Sequence, residues 1–370
     1  MTNFRVLGAA LSAALLVVAC GGGSDNSGPV GYTSMVSFGD SLSDVGTYKV
    51  GTVAALGGGT YSVNSTTSKN WTQDVAASLA LPMPCAAKTG LDGDPAQGFS
   101  VPQVNHAGCL NYAEGGARVT NPVGPGNKLL GGGNAVLGQL TIPVVTQIDN
   151  HLNATGSSFS GTELVTVMAG GNDVFMNLAS IAPTIAYLMS PAGGGLDAAT
   201  ATYIATSAAV TAMGVAGTEL AGYVKTKILA KGAKYVVVVN LPDVSKTPFG
   251  YSLDAATQGL LNTMSTTFNN QLSAGLAGVA GVHSVDTYTS SRDQAANPAK
   301  YGLTNVAAPA CDLTPAANPL GSSLVCTPAN VITGVDVSKY GFADTVHPTP
   351  YGYQLIADLV MKEAALATWR

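Results

Sequence analysis

Four short apolar runs constrain this chain more than any other feature: residues 35–38, 164–168, 235–239 and 282–285. The first three are near-continuous rather than alternating, and the fourth is shorter. Each stops at a turn-forming string: Gly39-Asp40-Ser41, Gly170-Gly171-Asn172, Asn240-Leu241-Pro242-Asp243 and Asp286. A strand that is apolar at every position is buried on both faces, as in a parallel sheet covered by helices on two sides. Helical patterns fill the gaps. The spacing predicts helices over 71–81 and over 199–231, the second broken at Gly214 or Gly217. Asp254 is placed to cap a helix whose Leu260, Met264, Phe268 and Leu272 form one apolar face. Thr349 and Pro350 suit the N-cap and first position of a last helix, with Leu355, Ile356, Leu359 and Val360 as its buried stripe. Strands alternating with helices predict the α/β class: a three-layer α/β/α sandwich with a mainly parallel sheet. With 370 residues, 46% hydrophobic and 10% charged, the chain has ample apolar surface for such a core.

The ends of the strands carry the chemistry. Ser41 follows the first run, Asn172 follows the second, and Asp344-Thr345-Val346-His347 lies near the C-terminus. A serine hydroxyl is a poor nucleophile until a base takes its proton. Among four histidines, His347 is singled out because Asp344 precedes it by three residues, a spacing that lets one turn bring the carboxylate to Nδ1. His106, in a Cys-flanked loop, His151, on a polar helix end, and His283, in a strand, read as surface or packed residues. Asp40 and Asp173 read as holding turns. In open α/β sheets, ligands bind at the carboxyl ends of strands, where Ser41 and Asn172 fall.

The strings Gly39-Asp40-Ser41-Leu42, Asn111-Tyr112-Ala113-Glu114-Gly115-Gly116-Ala117, Gly170-Gly171-Asn172-Asp173 and Asp344-Thr345-Val346-His347, in that order, resemble the SGNH (GDSL) family of serine esterases and lipases. The extended string Phe38-Gly39-Asp40-Ser41-Leu42-Ser43-Asp44 is similar to the branch of bacterial outer-membrane esterases and phospholipases. The resemblance implies a flavodoxin-like sandwich and ester hydrolysis through an acyl-Ser41 intermediate. His347 would be the base and Asp344 its orienting carboxylate. The oxyanion donors would be the Ser41 amide, the Gly116 amide (Gly115 being the near alternative) and the Asn172 side chain. It implies no cofactor, and no metal-ligand motif is present. Short to medium acyl esters are the expected substrates. A phospholipase or acyltransferase, or a non-catalytic surface-binding lipoprotein on the same fold, are the alternatives.

The N-terminus reads as export machinery. Arg5 and the apolar stretch 6–19 form a signal peptide, too short to span a bilayer comfortably. Val17-Val18-Ala19-Cys20 resembles a lipobox, which would make Cys20 a lipidated first residue, with cleavage and simple secretion as the alternative. Residues 20–32 then form a tether, and Gly21 after the cysteine implies the outer membrane by resemblance to lipoprotein sorting. No later segment has eighteen consecutive apolar residues. Lipidation of Cys20 leaves Cys85, Cys109, Cys311 and Cys326 for two disulfides. Three connectivities are open, and 85–109 with 311–326 is the most economical. Residues 33–370 read as a single hydrolase domain with insertions near 82–135 and 290–335. A net charge of −5 argues against a nucleic-acid partner. The expected partners are an ester substrate and, through the anchor, a membrane.

Overall fold

The computed structural model describes residues 31–366 and Trp369. The signal peptide and Cys20 lie outside the described residues, as does most of the tether. The chain opens with β1 (Met35–Gly39), the short α1 (Gly51–Ala55) and α2 (Trp71–Ser78). An antiparallel pair, β2 (Lys88–Asp92) and β3 (Ser100–Asn105), precedes α3 (Gly132–Leu137) and α4 (Val144–Ala154). Next come β4 (Leu164–Met168), α5 (Gly171–Met189) and α6 (Ala198–Tyr223), then β5 (Tyr235–Val239), α7 (Pro248–Tyr251) and α8 (Ala255–Leu276). The chain closes with β6 (Val282–Val285), α9 (Thr287–Ala296) and α10 (Pro350–Glu363).

The four apolar runs form one parallel sheet in the order β1-β4-β5-β6. Successive side chains point to opposite faces, so each run supplies two layers at once. Val36, Phe38, Val165, Val167, Val236 and Val238 face one core, shared with α4, α6 and α8. Met35, Leu164, Met168, Val237 and Val239 face the other, shared with α2 and α10. This is the three-layer α/β arrangement that continuous Val and Leu runs require.

Local chemistry sets the helix starts. Asn70 and Gln73 make a reciprocal capping box on α2. Asp254 accepts from the amides of Ala256 and Thr257, and Thr349 from that of Gly352 with Pro350 at the first position. The expected helix over 199–231 runs on as a π turn and a 3₁₀ turn to Lys231, and it does not break at Gly214 or Gly217. The reason is packing: a Cβ on Gly217 would stand 2.3 Å from the Phe268 carbonyl oxygen, so this glycine lets α6 and α8 approach. By length and composition, 198–231 could cross a membrane, yet Met213, Leu220, Val224 and Ile228 are all buried in the core. On α8 the buried face is Leu261, Met264, Phe268, Leu272 and Leu276, with Leu260 at its edge. The stripe of α10 is likewise shifted, to Tyr353, Ala357 and Val360, with Ile356 and Leu359 packed beside it.

Outside β1, residues 110–112 add a short parallel stretch. The amide of Ser37 donates to Leu110 (3.0 Å) and that of Tyr112 to Ser37 (2.8 Å). The chain therefore leaves β1 to one side and returns through β4 on the other. A crevice opens where strand order reverses, at the carboxyl ends of β1 and β4. Disulfides join Cys85 to Cys109 and Cys311 to Cys326, bracketing segments of the two insertions.

Candidate active site

Ser41 sits in the turn that ends β1. Gly39 is needed there because a Cβ would lie 2.3 Å from the Met168 carbonyl oxygen of the neighbouring strand. Gln147 of α4 locks the turn: its Oε1 accepts from the Gly39 amide (2.9 Å) and its Nε2 donates to the Gly39 carbonyl (2.8 Å). Asp40 accepts from the Leu42 amide at 3.0 Å, and burial pushes its pKa up to about 7. Asp44 ties this turn to the 111–117 string. It accepts from the amides of Gly46 and Thr47 at 2.8 Å and of Gly115 at 2.9 Å. The Asn111 side chain donates to the Ser43 carbonyl at 2.9 Å.

Three donors converge beside Ser41. The amide of Gly115 is taken by Asp44, whereas the amides of Ser41 and Gly116 have no partner among the described residues. Gly116 has a left-handed φ of 79°, and a Cβ there would stand 2.2 Å from the Pro125 carbonyl oxygen. Asn172, at the start of α5, donates from Nδ2 to the Ala117 carbonyl at 2.8 Å, which leaves its second Nδ2 hydrogen for a ligand. Asp173 holds the same loop, accepting from Arg118 Nε (2.9 Å) and from the Val119 amide (3.0 Å). Thr141, buried against Gly116, is held at a φ of 52°, a strained setting for a β-branched residue.

His347 approaches from the other side. Ser41 Oγ lies 2.8 Å from His347 Nε2, and His347 Nδ1 lies 2.8 and 3.0 Å from the two oxygens of Asp344. Asp344 is buried, which alone would raise its pKa. The adjoining His347 and the amides of Ser323 and Val346 hold it well below the usual carboxylate range. An ionised Asp344 accepts the Nδ1 proton and leaves Nε2 as acceptor toward Ser41. Ser41, Gly116, Asn172 and His347 all line one cavity of about 730 Å³. Its walls include Leu56, Phe99, Leu137 and Leu320, and no Asp, Glu, Lys or Arg among the described residues.

The remaining histidines lie elsewhere. His106 bonds Thr89 at 2.8 Å, and His283 packs edge-on against Trp369. His151 is not on a polar face: it is buried between Phe38, Tyr112 and Phe159. Sequence reasoning missed Gln147, Ser323, Tyr61 and Gln139, whose partners are distant in the chain. Only Asp44, inside the extended first string, had a sequence signal.

A family model for the GDSL-like lipase/acylhydrolases matches residues 35–360. The chain belongs to this family. The esterase EstA of Pseudomonas aeruginosa is 36% identical over 137 residues, and so is that of Pseudomonas putida. The match covers 34% of this chain and 19% of either relative, so it spans about a fifth of their length. A GDSL esterase/lipase of Arabidopsis thaliana is 28% identical over 139 residues, 35% of this chain and 37% of that one. Among solved structures, an extracellular lipase of Streptomyces rimosus is 17% identical with a TM-score of 0.40, over 90% of this chain and 99% of that one. An acetylxylan esterase of Geobacillus stearothermophilus is 12% identical with a TM-score of 0.40, over 92% and 98%.

Proposed function

We propose that the protein hydrolyses carboxylic esters through an acyl-Ser41 intermediate, and that residues 33–370 act as one hydrolase domain. The unbroken line from Asp344 through His347 to Ser41 Oγ carries this reading. Ser41 Oγ attacks the ester carbonyl as its proton passes to His347 Nε2, and Asp344 stabilises the imidazolium that forms. The former carbonyl oxygen becomes an oxyanion facing the Ser41 and Gly116 amides and the free Asn172 hydrogen. Collapse expels the alcohol, which takes the proton from His347. Water then attacks the acyl-serine by the same route, releasing the acid and restoring Ser41.

The neutral, largely apolar walls favour short to medium acyl esters over charged substrates. A panel of p-nitrophenyl esters of increasing chain length, a phospholipid, a polyester and acetyl-xylan tests this. Ser41→Ala should abolish turnover on all of them, and Asn172→Ala should lower kcat about 10²–10³-fold, the scale of one oxyanion donor. Turnover persisting in purified Ser41→Ala defeats the mechanism. A strong preference for phospholipid or acetyl-xylan defeats the substrate assignment.

The same proposal includes export and lipidation at Cys20, with an outer-membrane location. Support comes from the lipobox-like string and from the pairing of the other four cysteines with one another. Mass spectrometry of mature protein should find acyl chains on Cys20. A mature chain without them rules the anchor out.

A further inference from the structure

Tyr61 lies between the two halves of the site and belongs to none of the four strings. It is only 5% exposed. Its ring lies over the His347 imidazole, with centroids 4.7 Å apart and planes tilted by 33°. Its hydroxyl accepts a hydrogen bond from Gln139 Nε2 at 2.7 Å. The same hydroxyl presses on the oxyanion loop, where a Cβ on Gly115 would come within 2.0 Å of it. Gln139 borders the next residue, its Oε1 lying 3.2 Å from where a Cβ on Gly116 would be. Both side chains line the cavity that holds Ser41, Gly116, Asn172 and His347.

The surrounding bonds fix this arrangement. The Tyr61 carbonyl accepts from the Tyr353 hydroxyl at 3.0 Å, and Ser62 Oγ donates to the Pro348 carbonyl at 3.0 Å, so the 61–62 segment moves with the His347 loop. The Tyr48 hydroxyl donates to the Gly115 carbonyl at 2.8 Å, holding the opposite side. Meanwhile the His347 bonds to Asp344 and Ser41 run from its two ring nitrogens, whose N–H and lone pair are directed in the imidazole plane. They fix where the ring points but leave it free to rock about the line joining its two nitrogens. A stacked ring removes that freedom, and its π face also favours the imidazolium formed during attack.

We propose that Tyr61, held through its hydroxyl by Gln139, is a positioning residue that sets the plane of His347 and its spacing from the Gly115–Gly116 oxyanion loop. This rests on the catalytic reading above. Tyr61 and Gln139 form a neutral pair, so they fix geometry without adding charge to the site.

The test measures kcat and KM on p-nitrophenyl butyrate for the wild type, Tyr61→Phe, Tyr61→Leu, Gln139→Met and the Tyr61→Phe/Gln139→Met double variant, with Ser41→Ala as control. Tyr61→Leu should lower kcat about 10–100-fold, the scale of a small misplacement of a reacting group, with KM nearly unchanged. Tyr61→Phe, which keeps the ring, should recover all but a few-fold of that loss. Gln139→Met should match Tyr61→Phe, and the double variant should be no worse than either, because one bond is removed in all three. Equal losses in Tyr61→Phe and Tyr61→Leu, or a loss confined to KM, overturn the proposal. If Tyr61→Leu does not fold, the Tyr61→Phe and Gln139→Met pair decides, and additive losses or no loss overturn it. Turnover in Ser41→Ala defeats the catalytic reading instead, whereas Ser41-dependent turnover that ignores Tyr61 defeats only this inference.

Discussion

His151 and His347 show how differently one side chain behaves under two sets of neighbours. His347 has a carboxylate on one nitrogen and a hydroxyl on the other. His151 is 2% exposed, and neither of its nitrogens has a partner in its aromatic cage. Burial pushes its pKa down to about 4 from an ordinary 6.5. The folded state therefore binds fewer protons than the unfolded state between these values. The stability from keeping this ring neutral is complete above about pH 6.5 and is lost as pH falls toward 4, on the order of 3 kcal/mol in all. His151→Leu should raise the thermal midpoint at neutral pH and flatten the acid side of the stability–pH curve. Denaturant melts from pH 4 to 8 check this, and an unchanged acid slope would contradict it. The cage was partly legible. Val144, Gln147, Ile148, His151 and Leu152 recur at helical spacing on the buried face of α4, and the polar Asp149, Asn150 and Asn153 that suggested a wet helix end lie on the other. Tyr61 carried no comparable signal, because its contacts to Gly115, Gln139 and His347 exist only once the chain has folded.

At the level of elements, the strands were the most readable part of the fold. A five-residue run such as Val236 to Val239 with Tyr235 has no amphipathic alternative, so burial on both faces is its only stable setting. The hairpin of β2 and β3 was unreadable. Lys88–Asp92 contains a glycine and Ser100–Asn105 a proline, and their register is interrupted between Thr89 and Leu91, so pairing there owes little to apolar pattern. The Cys85–Cys109 bridge, just outside the two strands, ties its open end together instead. The second bridge has a sharper consequence. Between Cys311 and Cys326 lies Ser323, whose amide donates to Asp344 Oδ2 at 2.8 Å. Asn64 fastens the same loop by donating to the carbonyls of Ser323 and Cys326 at 3.0 and 2.9 Å. Closing a loop of 15 residues is worth about 3 kcal/mol. A Cys311→Ala/Cys326→Ala variant should lose at least about that much stability and also turn over more slowly while still folded, because the Asp344 carboxylate loses a fixed donor. Chemical unfolding beside a steady-state ester assay measures both, and a destabilised variant with unchanged kcat would contradict the second half.

Across the whole molecule, the groups that meet at the site are gathered from distant parts of the chain: Ser41 and His347 are 306 residues apart in sequence. The sheet does the gathering, since β1 and β4 end side by side and present Ser41 and Asn172 to one crevice. Which four strings met was readable because chemistry restricts the residue types. How they met was not, since it depends on the reversal of strand order at β1 and on loop contacts such as Asp44 with Gly115. The described ends of the chain also meet. The Tyr32 hydroxyl donates to the Leu366 carbonyl at 3.2 Å, and Tyr32 and Trp369 both pack edge-on against Tyr235. They do so at the start of β5, the opposite edge of the sheet from the crevice. Topologically the fold is almost a closed ring whose seam lies far from the chemistry. Joining Tyr32's end to Trp369's with a short linker and reopening the ring at the exposed turn around Gly194 and Gly195 would give a circular permutant with the same catalytic edge, its new ends leaving from the α5–α6 connection.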